Sequence, residues 1–334
     1  MEAGKISAAL RCIGNFKTGV LDITPDVIKT LNEKHPPSSK PYIEGLFYGP
    51  HPRRPVEEVI HEDINARMIF EAAKKVSGAA GPSGADSDLW ARILCSKQFK
   101  TKPSGLCASL ADIAKKLKTA EINPHFLRAY TACRLIPLDK KPGVRPIGIG
   151  EVVRRIIGRA TTTLLKPELT QATAPLKTRA GLRRGIEASK QATRKKFEEE
   201  DTETILLVAA SNAFNALNRK AALQNIQYTC PEFATFSRNI YRCETELFLP
   251  GSKEILISEE GTTLGGPESM RFYAEGTTPL TQPIKGILKI FYADDGTAGG
   301  KLKELYTYGH DLQKEGPLFG YFPNASKTWL ITKP

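Results

Sequence analysis

The sequence predicts an α+β protein, and three observations carry that expectation. Two segments, 133–149 and 288–297, read as β-hairpins, each a pair of short apolar runs around a tight turn. Residues 204–208, Thr-Ile-Leu-Leu-Val, form a continuous apolar run of the kind that is buried on both faces of a sheet. Between and around them lie segments with apolar residues at helical spacing.

In chain order, residues 35–55 are Pro-rich and are expected to be extended or loop-like, which makes them the clearest linker. Residues 62–77 carry Ile64, Met68, Ile69, Ala72, Ala73 and Val76 on a helical period. Gly78-Ala-Ala-Gly-Pro-Ser-Gly84 breaks that pattern, and Asp86 or Ser87 is suited to cap a helix bearing Leu89, Trp90, Ile93 and Leu94. After the 133–149 hairpin, Val152, Val153, Ile156 and Ile157 mark another helix. The charged stretch 176–200 reads as helical, as a solvated face or as a nucleic-acid contact. Residues 266–280 read as a helix behind a Gly-rich lead-in, 301–315 as a helix ended by Gly316-Pro317, and 326–333 as a last strand.

Composition narrows the partners. The chain has 334 residues with 48 Lys and Arg against 36 Asp and Glu, a formal charge of +12, and an isoelectric point of about 9.3. That excess fits nucleic-acid binding, although charge speaks to partners and not to fold. Of the six cysteines, no two form a Cys-X-X-Cys pair, and they are expected to be reduced and mostly buried. No apolar run approaches the ~18 residues that span a bilayer, and the N-terminus has no signal-like apolar block. An intracellular protein is expected, with nucleus or cytoplasm left open.

The chemistry is concentrated in Leu288-Lys-Ile-Phe-Tyr-Ala-Asp-Asp-Gly-Thr297, where adjacent carboxylates, Asp294 and Asp295, sit at the tip of an apolar strand. A sharp hairpin turn pushes such carboxylates out of the sheet, where they can hold a metal. Other motifs accompany it in order: Gly78 to Gly84; Pro142-Gly-Val-Arg-Pro-Ile147; Leu207-Val-Ala-Ala-Ser-Asn-Ala-Phe-Asn-Ala-Leu-Asn218; Gly261-Thr-Thr-Leu-Gly-Gly-Pro267; and Tyr321-Phe-Pro-Asn-Ala-Ser-Lys-Thr328. Together, over about residues 65–334, they resemble the reverse transcriptase domain of non-long-terminal-repeat retrotransposons, with Phe291-Tyr-Ala-Asp-Asp295 in the place of the catalytic hairpin.

The resemblance implies a right-hand polymerase fold: residues 65–200 as fingers and 201–334 as a palm of antiparallel sheet backed by helices. Residues 1–64 would be an N-terminal extension, and a thumb is expected to be absent. It implies RNA-directed DNA polymerase activity, the transfer of deoxynucleotides to a primer 3′-hydroxyl, with an RNA template, a DNA primer and dNTPs as partners. Two Mg2+ ions about 4 Å apart, or Mn2+, are the implied cofactor. By the same resemblance Asp294 is the direct metal ligand and Asp295 a weaker one. Arg145 and Lys140 receive the triphosphate, and Phe214 packs under the sugar to exclude a 2′-hydroxyl. Gly265 and Gly266 approach the nascent base pair, and Lys327 protonates the leaving pyrophosphate.

Three departures bear on activity. The family's first palm motif begins with Asp, and here that position is Ala209. Leu264 stands where Gln is common, and neither a thumb nor an endonuclease motif is legible. With one bridging carboxylate gone, catalysis is expected to be impaired or absent. The alternative is a catalytically inactive nucleic-acid-binding remnant of a retroelement polymerase. A similar palm in an RNA polymerase is disfavoured by Phe214.

Overall fold

The computed structural model describes residues 19–41, 46, 63–95, 105–140, 143–173, 184–263, 265–281 and 284–333. It is a mixed α/β protein of helices and largely antiparallel sheet. No helix among the described residues is long and apolar enough to cross a membrane.

The helices are started by local chemistry. Helix α1 (Pro25–Glu33) opens with Pro25 behind Thr24, whose hydroxyl accepts from the Val27 amide. Helix α2 (Ala66–Lys75) is capped by Asn65, and α3 (Ser87–Cys95) by Asp86, whose carboxylate accepts from the Leu89 amide at 2.8 Å. Helix α4 (Gly105–Thr119) packs on α2. Helix α5 (Pro124–Thr131), with Asn123 as its cap, leads into the first hairpin. There β1 (Cys133–Asp139) and β2 (Val144–Gly150) run antiparallel with Leu138 opposite Arg145. Helices α6 (Val152–Leu164), α7 (Lys166–Thr173) and α8 (Gly185–Glu198) follow. The basic residues 174–183 expected in the charged helix lie outside the described residues.

The second half begins with β3 (Thr204–Val208) and the two-residue β4 (Ala210–Ser211). Then come α9 (Ala213–Ala216), α10 (Arg219–Thr229) and α11 (Pro231–Tyr241). Strands β5 (Thr245–Phe248) and β6 (Ile255–Ser258) form a hairpin, and α12 (Ser269–Gly276) follows. Strands β7 (Leu288–Tyr292) and β8 (Asp295–Gly300) make the second hairpin. Helix α13 (Leu302–Glu315), the two-residue β9 (Phe322–Pro323) and β10 (Trp329–Thr332) complete the chain.

Two four-stranded sheets result. One has the order β2-β1-β5-β6, with β1 and β5 parallel over a short stretch and the other pairs antiparallel. The other, β10-β3-β8-β7, is antiparallel throughout. Its strand β3 is almost wholly buried, as the apolar run 204–208 implied, because β10 and β8 flank it and helices cover it.

Each sheet has its own apolar body. The larger gathers Ile156, Phe233, Phe236, Phe272, Phe291 and Tyr321 with their neighbours. The smaller joins Leu31 of α1 to Cys133, Leu135, Val144, Leu247 and Leu256. Residues 19–41 therefore do structural work: Leu21 donates to the Pro137 carbonyl, and Val20 bridges Leu138. At their far end the Ser39 amide donates to Glu260 at 2.8 Å, and Asn218 donates to the Ser39 hydroxyl at 2.8 Å.

The loop ahead of α12 is fixed by a buried ion pair. Arg154 on α6 and Glu268 meet at 2.9 Å, each side chain 1% exposed. The guanidinium also donates to the Thr131 carbonyl and to the Thr263 hydroxyl. Burial alone lowers the pKa of Arg154, but the adjacent Glu268 carboxylate reverses that and holds it above its ordinary value.

Candidate active site

The site is built around a strained turn. Tyr292 pairs with Asp295, leaving Ala293 and Asp294 as a two-residue hairpin loop. Such loops match sheet twist only with positive φ, and Ala293 has φ +63°. A non-glycine residue in that region costs roughly 1–2 kcal/mol, so something must hold it. The Tyr321 hydroxyl does, donating to the Asp294 carbonyl at 2.9 Å. The Tyr321 ring is 1% exposed and meets Phe291 edge-on at 6.3 Å. Burial, with Tyr308 and the two aspartates nearby, pushes its hydroxyl pKa upward, so it stays a donor.

The two carboxylates then part company. Asp294 is half-buried and lines a cleft of about 430 Å³. Asp295 is exposed and lines a neighbouring hollow with Lys190, Arg194, Phe197 and Tyr292.

Opposite Asp294, the chain leaves β3 and turns into α9. The β3–β8 pairing ends with Val208 opposite Gly296, and Ala209 follows as the chain leaves the strand. The Ala209 carbonyl accepts from the Asn324 amide at 2.8 Å, and Ala210 lines the cleft. Asn212 takes a left-handed conformation, φ +50°, and its amide donates to the Lys34 carbonyl at 2.7 Å. Phe214, two residues on, lines the cleft and lies against Tyr273 with centroids 4.6 Å apart and the rings tilted by 32°. Its backbone is backed by Gly261 (φ +76°), where a Cβ would come 2.4 Å from Asn215 Cα; only glycine fits there.

The remaining wall is cationic. The first hairpin contributes Lys140 and Arg145, and the end of α1 contributes Lys34. Lys327, in a 3-10 turn capped by the Asn324 side chain, lies near enough to Lys140 to act on its charge. The Lys140 ammonium is accordingly destabilised: burial lowers its pKa first, then Lys327, Arg145 and Lys34 add to the fall.

Of the residues named from sequence, Asp294, Arg145, Lys140 and Phe214 thus share one cleft, and Lys327 flanks it. Gly265 and Gly266 are not among the described residues that line it. A Cβ at Gly265 would fall 2.7 Å from the Gly148 carbonyl oxygen, and one at Gly266 would strike the Glu268 carboxylate. These two glycines permit close packing of the loop on β2 and on the buried ion pair. Leu264, Lys141 and Pro142 lie outside the described residues. Sequence reading missed Lys34 and Asn212; Lys34 lay within a segment that showed no chemistry.

The donor set does not fit a pair of divalent ions. A bridging pair needs carboxylates converging from both strands. The end of β3 supplies Ala209 and no carboxylate, and Asp295 lines the next hollow. Among the described residues no group of three His, Cys, Asp or Glu side chains is placed to hold a metal ion.

Compared with protein-family models, the chain matches none. No curated protein matches it either. Among solved structures it is similar to apo telomerase from Candida tropicalis, at 10% identity and a TM-score of 0.46. That likeness covers 61% of this chain and 45% of the telomerase chain, so this chain spans under half the length of its neighbour.

Proposed function

We propose that this chain is a reverse-transcriptase-like fingers-and-palm unit that receives a nucleoside triphosphate against a template–primer, with nucleotide transfer lost or strongly impaired by Ala209. The observation that carries the reading is convergence. Segments near residues 140–145, 210–214 and 294, far apart in sequence and each singled out by its motif, meet in one cleft. Within it, the Arg145 guanidinium is suited to grip phosphate oxygens bidentately, assisted by Lys140. The Phe214 ring is suited to lie under the sugar, where a 2′-hydroxyl would be left unsatisfied. The overall charge of +12 supports attraction to a nucleic-acid backbone.

The test is Ala209→Asp. The position is half-buried and directly precedes Ala210, which lines the cleft. Expected is a gain of dNTP incorporation on an RNA template with a DNA primer, dependent on Mg2+ or Mn2+, over an unchanged protein that adds nucleotides at background rate. A folded Ala209→Asp protein that gains nothing would overturn the assignment.

A second reading, a nucleic-acid-binding protein without turnover, is favoured by the incomplete carboxylate set. It predicts salt-sensitive binding of primer–template by the unchanged protein, with no nucleotide addition before or after the substitution.

A further inference from the structure

The cleft carries a charge imbalance. Lys34, Lys140 and Arg145 line it, Lys327 flanks Lys140, and Asp294 is the one carboxylate among the described lining residues. Among the described residues none of the four cations forms an ion pair. Gathering like charges around a concave space is costly unless a ligand brings the counter-charge.

Lys34 is held in place rather than merely nearby. It caps the C-terminus of α1, with its amide donating to the Thr30 and Leu31 carbonyls. Its own carbonyl accepts from Asn212, the residue that turns the chain toward Phe214. Lys34 is therefore tied through its carbonyl to the segment that carries Phe214, while α1 itself packs on β2, the strand of Arg145. A cation so placed can neutralise phosphate oxygens that the incomplete carboxylate set leaves without metal ions.

We propose that the cleft is a polyphosphate site that works without a divalent cation, with Lys34 as a phosphate-binding residue beside Lys140, Arg145 and Lys327. The ligand class is a linear triphosphate, whether inorganic or the tail of a nucleoside triphosphate. The inference deepens the reading given under Proposed function and rests on it only for the nucleoside end.

The experiment titrates inorganic triphosphate and, separately, dGTP into the full chain by calorimetry, first with EDTA and then with Mg2+. Expected is saturable binding of both in EDTA, changed by Mg2+ no more than about threefold. Lys34→Gln weakens both about tenfold, the loss of one charge-assisted contact, whereas Lys253→Gln in the remote β5–β6 turn leaves them unchanged. Lys327→Gln, at an exposed position, weakens binding similarly and serves if Lys34→Gln does not fold. Binding that requires Mg2+, binding of dGTP alone, or unchanged affinity in a folded Lys34→Gln protein overturns the inference. The incorporation assay with Ala209→Asp is independent of these titrations, so either result can fail while the other stands.

Discussion

Tyr321 holds the Ala293–Asp294 turn in place: its hydroxyl donates to the Asp294 carbonyl at 2.9 Å while its ring is buried against Phe291. Tyr321→Phe keeps the ring and removes the donor. The expected cost is about 1 kcal/mol, the net worth of one such bond. It should appear as a lower urea midpoint with an unchanged slope. In the Ala209→Asp background the same change should also reduce incorporation, because Asp294 is released from its support.

Glu268→Gln should be far more damaging. It leaves the Arg154 guanidinium, 1% exposed, without its counter-charge at the heart of the α5–α6–α12 packing. Breaking one side of such a pair costs roughly 3–5 kcal/mol. Replacing Arg154 and Glu268 together with Met should cost much less than the sum of the single losses. A double-mutant cycle by urea unfolding measures the difference.

Stability should rise between pH 8 and pH 9. Lys118 and Lys289 are 1% and 4% exposed, and burial lowers both ammonium pKa values from 10.5 to about 8. Between those values the unfolded chain binds more protons than the folded one, so stability increases with pH, by at most about 1.4 kcal/mol per pH unit for each lysine. Above pH 9 the buried thiols Cys133 and Cys230, whose pKa values burial raises from 9.0, oppose the gain. Urea midpoints across this range check the slope, and Lys289→Met should flatten it.

Phe214→Val should relax sugar selection. In the Ala209→Asp background the ratio of rNTP to dNTP incorporation is expected to rise at least about tenfold, since the apolar floor under the 2′ position is cut away. The lost ring contact with Tyr273, with centroids at 4.6 Å, should cost about 0.5–1.5 kcal/mol in addition to the loss of buried area. Comparing single-nucleotide incorporation rates for matched rNTP and dNTP pairs measures the first effect, and thermal unfolding the second.

The parts of the fold that were legible in sequence are those whose chemistry is local. The two hairpins announce themselves through short apolar runs around turn residues, and Asp86 marks a helix start that the structure realises. The β5–β6 hairpin was missed although Pro250-Gly251 signals its turn, because strands of four residues give little periodicity. Helices α10 and α11 were missed because so much of each is buried that their apolar stripe is broad and shallow. For the site, Asp294, Arg145 and Phe214 could be named from their motifs. Lys34 could not, since its tie to Asn212 spans 178 positions and no local pattern encodes it. Arg154 and Glu268 carry no local signal at all; only burial pairs them.

Residues 19–41 straddle the seam between the two apolar bodies, bonded to β1 at one end and to Glu260 and Asn218 at the other. The walls of the cleft belong to different bodies, Arg145 to the smaller and Phe214 to the larger. The gap between them is therefore governed in part by a brace that reaches the cleft only through Lys34. Slackening that brace would alter the hollow's width and so its affinity, with every side chain inside left intact.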